Sequence, residues 1–277
     1  MEYPNLSIPD QLPDDFLSNL VFTQDRRPEL SREGQRGPIH ASSLIGDAFC
    51  PRREWLQRNK EERIYQGVAS PMRVVWKFGR AVEEHIRKQL IRNPSFRDKV
   101  YGHWECSSGD AFIGPYMDIP EHNRNHHDQV YHEICLVHRG VTGSPDLLFL
   151  NDDDEMVVVE IKSIKKDDFM ELRRPIPIHS QQVQFYSNLL QRNDFTVNHC
   201  RVLYVCKDFV RGGIYKEYRI SRTSVNDYEF HYEDAEAAQS EEIPRRLGVC
   251  SSPSSPKVMS CPCGVRCMLL HGGISNE

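Results

Sequence analysis

The chain has 277 residues, 39% hydrophobic and 27% charged, with a formal net charge of −5. That length holds one large globular domain or two small ones. No apolar run approaches the ~20 residues that cross a bilayer, so no membrane association is expected. The net acidity argues against a protein that holds nucleic acid by overall charge alone.

Residues 1–38 read as a flexible leader, punctuated by Pro4, Pro9, Pro13, Pro28, Gly34, Gly37 and Pro38. The stretch Met1 to Asp15 lacks the basic-then-apolar pattern of a signal peptide, and a cytoplasmic location is expected. A helix is predicted from an N-cap at Ser42 or Ser43 through Leu44, Ile45, Ala48 and Phe49 to Trp55 and Leu56. The clearest amphipathic helix spans Val74 to Leu90, where Val74, Phe78, Val82, Ile86 and Leu90 recur every fourth residue. Between positions 50 and 92 the chain is basic, with Arg52, Arg53, Arg58, Lys60, Arg63, Arg73, Lys77, Arg80, Arg87, Lys88 and Arg92. Such a face can hold a phosphate backbone, or can simply be solvated helix surface.

Weak strands are predicted at 100–105, 111–117 and 130–138, with a polar, histidine-bearing tip from Glu121 to Asp128. Two stronger strands follow, Leu147 to Leu150 and Met156 to Ile161, joined by the acidic turn 151–155. The run Val157-Val158-Val159 does not alternate, so it reads as a strand buried on both faces. Ser180 to Gln191 reads as a helix, Arg201 to Lys207 as another buried strand, and Gly213 to Ile220 as its neighbour. Ser221 to Arg246 is expected to be largely helical, and Gly248 to Pro256 to be a connector before a closing group of cysteines. The order of elements predicts one α/β domain with helical and cysteine-bearing extensions.

Chemistry concentrates in Gly143-Ser144-Pro145-Asp146 and Glu160-Ile161-Lys162. Positions i and i+2 of a strand share a face, so Glu160 and Lys162 point one way and Ile161 points into the core. Two carboxylates can hold a divalent cation, and a lysine beside them can position a water or neutralise a developing oxyanion. His85 lies on or beside the apolar stripe of its helix, where a structural histidine and a metal ligand are equally plausible. Gln182 and Tyr186 are four apart and share a helix face, suited to holding a phosphate, to orienting Lys162, or to an ordinary polar helix edge.

Taken in chain order, Gly79 with His85, Pro145-Asp146, Glu160-x-Lys162 and Gln182-x-x-x-Tyr186 resemble the motifs of the PD-(D/E)xK nuclease superfamily in its RecB-like branch. The resemblance implies an α/β, restriction-endonuclease-like core, a mixed central sheet flanked by helices, over residues 39–249. It implies that His85, Asp146, Glu160 and the main-chain carbonyl of Ile161 bind Mg²⁺ or Mn²⁺. Lys162 would assist the attacking water, and Gln182 and Tyr186 would engage DNA.

Nine cysteines are many for a reducing compartment, where disulfides are rare and metal or cluster ligation is the better account. Phe49-Cys50-Pro51-Arg52-Arg53 followed by Trp55-Leu56 resembles the N-terminal cysteine motif of the iron–sulfur RecB-like exonucleases, which include CRISPR-associated "Cas-four" and phage or viral members. That likeness implies a [4Fe-4S] cluster on Cys50, Cys261, Cys263 and Cys267, with residues 250–277 packing back on the N-terminal part. The spacing here, Cys261-x-Cys263-x3-Cys267, departs from the family's C-x2-C-x5-C. Cys261 and Cys267 keep the longer gap, leaving Cys263, the preferred choice, or Cys250 as the remaining ligand. Zinc on Cys250, Cys261, Cys263 and Cys267 is the alternative. Cys106, Cys135, Cys200 and Cys206 read as core thiols.

The expectation is a metal-dependent deoxyribonuclease, an exonuclease on single strands or duplex ends, working alongside CRISPR integration or recombination proteins. A non-catalytic nucleic-acid-binding or assembly subunit and an RNA nuclease are the alternatives.

Overall fold

A single strand, Met156–Ile164 (β8), divides the core into two halves by its side-chain alternation. Met156 and Val158 pack into one apolar cluster, and Val157, Val159 and Ile161 into another. In the computed structural model the described residues are 38–45, 49–58, 70–106, 109–124, 129–208 and 214–269. The backbone alone is described at 70–76 and at 265. Residues 1–37 of the expected leader (1–38) and residues 125–128 of the expected histidine-bearing tip lie outside the described residues.

The first elements are β1 (Ile39–His40), α1 (Ala41–Leu44), α2 (Pro51–Arg58), α3 (Ser70–Arg92) and α4 (Pro94–Arg97). Then come β2 (Val100–Glu105), β3 (Ala111–Pro115), β4 (Val130–His132), β5 (Leu136–His138), β6 (Val141–Gly143), β7 (Leu147–Leu150) and β8. The remainder is α5 (Lys166–Glu171), α6 (Pro177–Arg192), β9 (Val197–Cys206), β10 (Tyr215–Ser221), α7 (Glu229–Gln239), α8 (Pro256–Ser260) and α9 (Gly264–Leu269).

The main sheet runs β10-β9-β8-β7-β2-β3, with β4 also pairing to β2. It is mixed: β8 and β9 are parallel and the other pairings antiparallel. A small second sheet has the order β1-β6-β5. On one face of the main sheet, α6 supplies Val183, Tyr186, Leu189 and Leu190 against Val158, Cys200, Val202 and Tyr204. The small sheet and α7 close that cluster with Ile39, Leu136, Val141, Tyr232, Ala235 and Ala238. On the other face, Val82, Ile86 and Leu90 of α3 pack on Val100, Trp104, Val157, Val159 and Ile161. Each such buried aliphatic side chain contributes about 1.5–3 kcal/mol relative to exposure. The four-residue stripe of α3 is therefore what holds this helix on the sheet.

Several expected elements have different limits. The single helix expected from Ser42 to Leu56 is two: α1 stops at Leu44, whose cap Ile45 is extended, and α2 starts at Pro51. A proline has no N–H to continue a preceding helix and drives its neighbour out of the helical region. The expected strand 130–138 is two short strands, because residues 133–135 leave the sheet. Strand β9 begins four residues earlier than expected, since Val197 to Cys200 pair with Met156 to Val158.

The segment 221–246 is helical only over α7. Ahead of it, the carbonyls of Ser224, Val225 and Asp227 all accept from Nδ2 of the buried Asn188. Tyr228 then takes a left-handed backbone (φ 69°). A helix through 222–228 would forfeit those bonds and leave Asn188 unsatisfied. Cys106, Cys200 and Cys206 are buried as expected, whereas Cys135 is exposed because it sits in the departing segment.

Candidate functional site

Where β7 begins beside the middle of β8, Leu147 pairs with Val159, which sets the preceding Asp146 level with Glu160. Oδ2 of Asp146 accepts from the main-chain N–H of Ile161 at 2.6 Å. Glu160 is 3% exposed. Its Oε1 accepts from Lys162 Nζ at 2.6 Å and from Gln182 Nε2 at 2.8 Å. Its Oε2 is buried with no partner among the described residues. Gln182 Nε2 also donates to the Tyr186 hydroxyl at 2.9 Å, and Tyr186 is 1% exposed. The alternation of β8 explains the grouping: Glu160 and Lys162 continue the face of Met156 and Val158, which α6 covers. Five of the residues singled out in the sequence, Asp146, Glu160, Lys162, Gln182 and Tyr186, therefore share one site. Ile161 is fully buried on the opposite face and contributes its main chain.

Helix α3 reaches the site from the other side of the sheet. Glu83 Oε1 accepts from both the N–H and the hydroxyl of Ser163, at 3.1 and 3.0 Å. Arg87, one turn on, pairs with Glu133 from the segment between β4 and β5. The charges of Glu83 and Glu133 both bear on Glu160, and that of Glu133 also on Asp146. Glu83 and Glu133 did not stand out in the sequence, and Arg87 did so only as one of the cations of the basic stretch. For Glu83 and Arg87 a signal existed, since both keep the four-residue step from Gly79 on the face that meets β8. For Glu133 there was none, because its place depends on a break within an expected strand. His85 lies two residues beyond Glu83, about 200° around the helix. It is partly buried, and burial together with Arg92 and Lys88 lowers its pKa.

Electrostatically the site is short of positive charge. Burial, reinforced by Glu160, pushes the Asp146 carboxyl well above the usual carboxylate range, against the Ile161 N–H and Lys162. Burial raises Glu160 too, with Lys162 pulling the other way. Burial alone would lower Lys162, but Glu160 and Asp146 outweigh it, so the net shift is upward and the lysine is an ammonium. Burial and then Lys162 hold His179, hydrogen-bonded through Nδ1 to Tyr204, down to about 4. A chain that buries two carboxylates around one ammonium has room for more cationic charge. Among the described residues, no three His, Cys, Asp or Glu side chains converge on one point as a ready-made single-ion site. The carboxylate oxygens of Asp146 and Glu160 are nonetheless ligands of the kind a hard divalent cation takes.

In a separate group, Cys50, Cys250, Cys261, Cys263 and Cys267 line one small cavity with Arg53, Val258 and Gly264. Burial and then the neighbouring Cys50, Cys267 and Cys261 raise the Cys250 thiol. Cys263 is 1% exposed in the turn before α9, where its carbonyl accepts the Cys267 N–H. Among the described residues these thiols line one space but do not converge as a ready-made single-ion site.

The fold and site define a mixed α/β protein with a central mixed sheet flanked by helices and a carboxylate–lysine group at its middle strands. No family model matches the chain, and no curated protein matches it. Among solved structures it is similar to a protein titled SSO0001, at 15% identity and a TM-score of 0.41, over 90% of this chain and 94% of that one. It is also similar to an alkaline exonuclease, LHK-Exo, from Laribacter hongkongensis. There the identity is 16% and the TM-score 0.44, over 73% of this chain and 86% of the other. The same exonuclease in complex with dAMP gives 14% and 0.44 over the same shares. Likenesses this weak establish no family. No described helix is long and apolar enough to cross a membrane.

Proposed function

We propose that this chain is a metal-dependent deoxyribonuclease of the PD-(D/E)xK type, an exonuclease acting on single strands or duplex ends. The observation that carries the reading is the Glu160 carboxylate. One oxygen is held by Lys162 and Gln182, and the other is buried without a partner beside Asp146. An orphaned carboxylate oxygen in a buried site is costly unless a cation or donor meets it.

Asp146, Glu160 and the carbonyl of Ile161 would hold Mg²⁺ or Mn²⁺. His85 is the ligand the motif supplies from α3, and Glu83 is the better placed residue of that helix. The cation, when bound, supplies Lewis acidity at the scissile phosphate and its attacking water. Lys162, kept charged by the carboxylates, orients the water and offsets charge on the phosphate. Gln182, braced by Tyr186, fixes the Glu160 carboxylate and so engages DNA through the site it holds. The exposed Lys77, Arg80 and Lys88 of α3 suit a phosphate backbone. We propose further that the cysteine centre holds a [4Fe-4S] cluster joining α2 to the C-terminal segment, with roles in CRISPR adaptation or phage-type recombination.

The test is digestion of DNA labelled at one end or the other, with Mg²⁺, Mn²⁺ or EDTA, by wild type, Asp146→Ala and Lys162→Ala. Cleavage that survives EDTA or both substitutions rejects the reading. Binding without cleavage under all conditions supports an assembly subunit instead.

A further inference from the structure

Arg52 is 1% exposed, the second residue of α2, and one of the largest fully buried side chains. Its Nε donates to the Cys267 sulfur at 3.1 Å and its Nη1 to the Pro244 carbonyl at 2.7 Å. Its Nη2 is buried with no partner, and among the described residues no carboxylate pairs with it. A guanidinium is always charged, and one buried without an anion is strongly unfavourable. The remaining acceptor of any strength is sulfur. A neutral thiol is a weak acceptor, whereas a thiolate supplies a full negative charge and takes N–H donors readily.

A second donation of the same kind occurs nearby. The main-chain N–H of Arg53 points at the Cys50 sulfur at 3.4 Å, from the first turn of α2, and Cys50 caps that helix through its carbonyl. One sulfur from each end of the chain thus receives an N–H, and both line the cavity shared with Cys250, Cys261 and Cys263. Four thiolates around Zn²⁺ or a [4Fe-4S]²⁺ core leave two net negative charges, and a buried cation then has its counterpart.

We propose that Arg52 is the buried counter-ion of an anionic thiolate centre formed by Cys50, Cys261 and Cys267 with a fourth thiolate from Cys250 or Cys263. The proposal rests on the metal-holding cysteine centre put forward above, and deepens it by naming the charge that balances the centre. Arg52 is a positioning residue: it orients the Cys267 sulfur and ties α2 to Pro244 ahead of the cysteine segment. Hydrogen bonds and positive charge at a ligand sulfur raise a cluster's reduction potential and slow loss of the metal.

The experiment uses the full chain purified anaerobically, with iron, sulfide and zinc measured on wild type, Arg52→Gln, Arg52→Lys, Cys250→Ser and Cys263→Ser. The readouts are the half-time of metal release to excess EDTA and, for an iron-bearing protein, the midpoint potential followed by electron paramagnetic resonance. Circular dichroism keeps unfolded variants out of the comparison. Wild type should retain metal, and one of Cys250→Ser and Cys263→Ser should lose it. Arg52→Gln should release metal at least several-fold faster and shift the potential negative, with Arg52→Lys closer to wild type. Release and potential unchanged in Arg52→Gln overturn the counter-ion role. Full retention in both Cys250→Ser and Cys263→Ser overturns the four-thiolate centre. A wild type holding zinc and no sulfide rejects the iron–sulfur reading while the release rates still decide the role of Arg52. A wild type with no metal overturns both.

Discussion

Gln182 donates to one oxygen of Glu160 at 2.8 Å and leaves the other oxygen of that carboxylate buried and unpartnered. A single amide thus fixes the rotation of a buried acid without consuming it. The brace has its own support, since the same Nε2 reaches the hydroxyl of the buried Tyr186. Gln182→Ala should leave the fold intact, because Gln182 is only half-buried. It should weaken Mn²⁺ binding or activity by about 10–100-fold, the usual cost of removing a group that orients a metal ligand. A Mn²⁺ titration of nuclease activity checks this, and an unaltered half-saturating concentration and maximal rate would contradict it.

Lys162 faces a different test, because its ammonium is stabilised by the carboxylates it serves. Lys162→Met keeps the stem and removes the charge. Activity should fall about 10²–10³-fold, the scale of a lost transition-state donor. Affinity for the divalent ion should hold or rise, as a competing cation leaves Glu160. Calorimetric Mn²⁺ binding beside single-turnover cleavage separates the two effects. Parallel loss of both would assign Lys162 a structural role.

Which residue of α3 completes the oxygen set can be decided by comparing two substitutions. Glu83 bears on Glu160 and Lys162 and is anchored by Ser163. His85 lies on another flank, in the field of Arg92 and Lys88. Glu83→Gln should weaken Mn²⁺ binding about tenfold or more, on the scale of a lost charged ligand or its orienting partner, and His85→Ala should do so less. The reverse order would restore the histidine of the motif as the ligand.

Much of this site was legible because it is periodic. The step of two along β8 aligned Glu160 with Lys162, and the step of four along α6 aligned Gln182 with Tyr186. What the chain hid were the places where tertiary contacts override local pattern. Glu133 enters only because β4 and β5 are interrupted, and Arg52 looked like one more surface cation in a basic stretch. The segment before α7 is helix-like in composition, but Asn188 claims its carbonyls.

The stability of the metal-free protein should carry an unusual pH signature. Asp146 titrates above the ordinary carboxylate range when folded, chiefly through burial. Between those two values the native state binds more protons than the unfolded one, so this group makes stability fall as pH rises. His179 and His199 act in the opposite sense. Burial holds both to about 4, so each lowers stability as pH falls from the ordinary histidine value of 6.5 toward about 4. Asp146→Asn should therefore stabilise the EDTA-treated protein at neutral pH by on the order of 1–3 kcal/mol. His179→Gln should flatten the acid side. Urea unfolding across that range measures both, and a destabilised Asp146→Asn would refute the buried-charge account.

Gly143 links the fold to the chemistry most directly. A Cβ added there would lie 2.7 Å from Leu189 Cδ1 and 2.9 Å from Cδ1 and Cε1 of Tyr186, too close for either to remain in place. Leu189 and Tyr186 belong to the fully buried face of α6, so the helix cannot yield at one side chain alone. Gly143→Ala should cost about 1–3 kcal/mol as an overpacked core. The displacement should pass along α6 to Gln182, four residues from Tyr186, and loosen its hold on Glu160. Activity should then fall further than the lost stability accounts for at a temperature where the variant is fully folded. Pairing it with Leu189→Ala, which opens room beside the new methyl group, should return part of the activity. If Gly143→Ala lowers the melting temperature but cleaves as fast as wild type, α6 does not transmit that strain to Glu160.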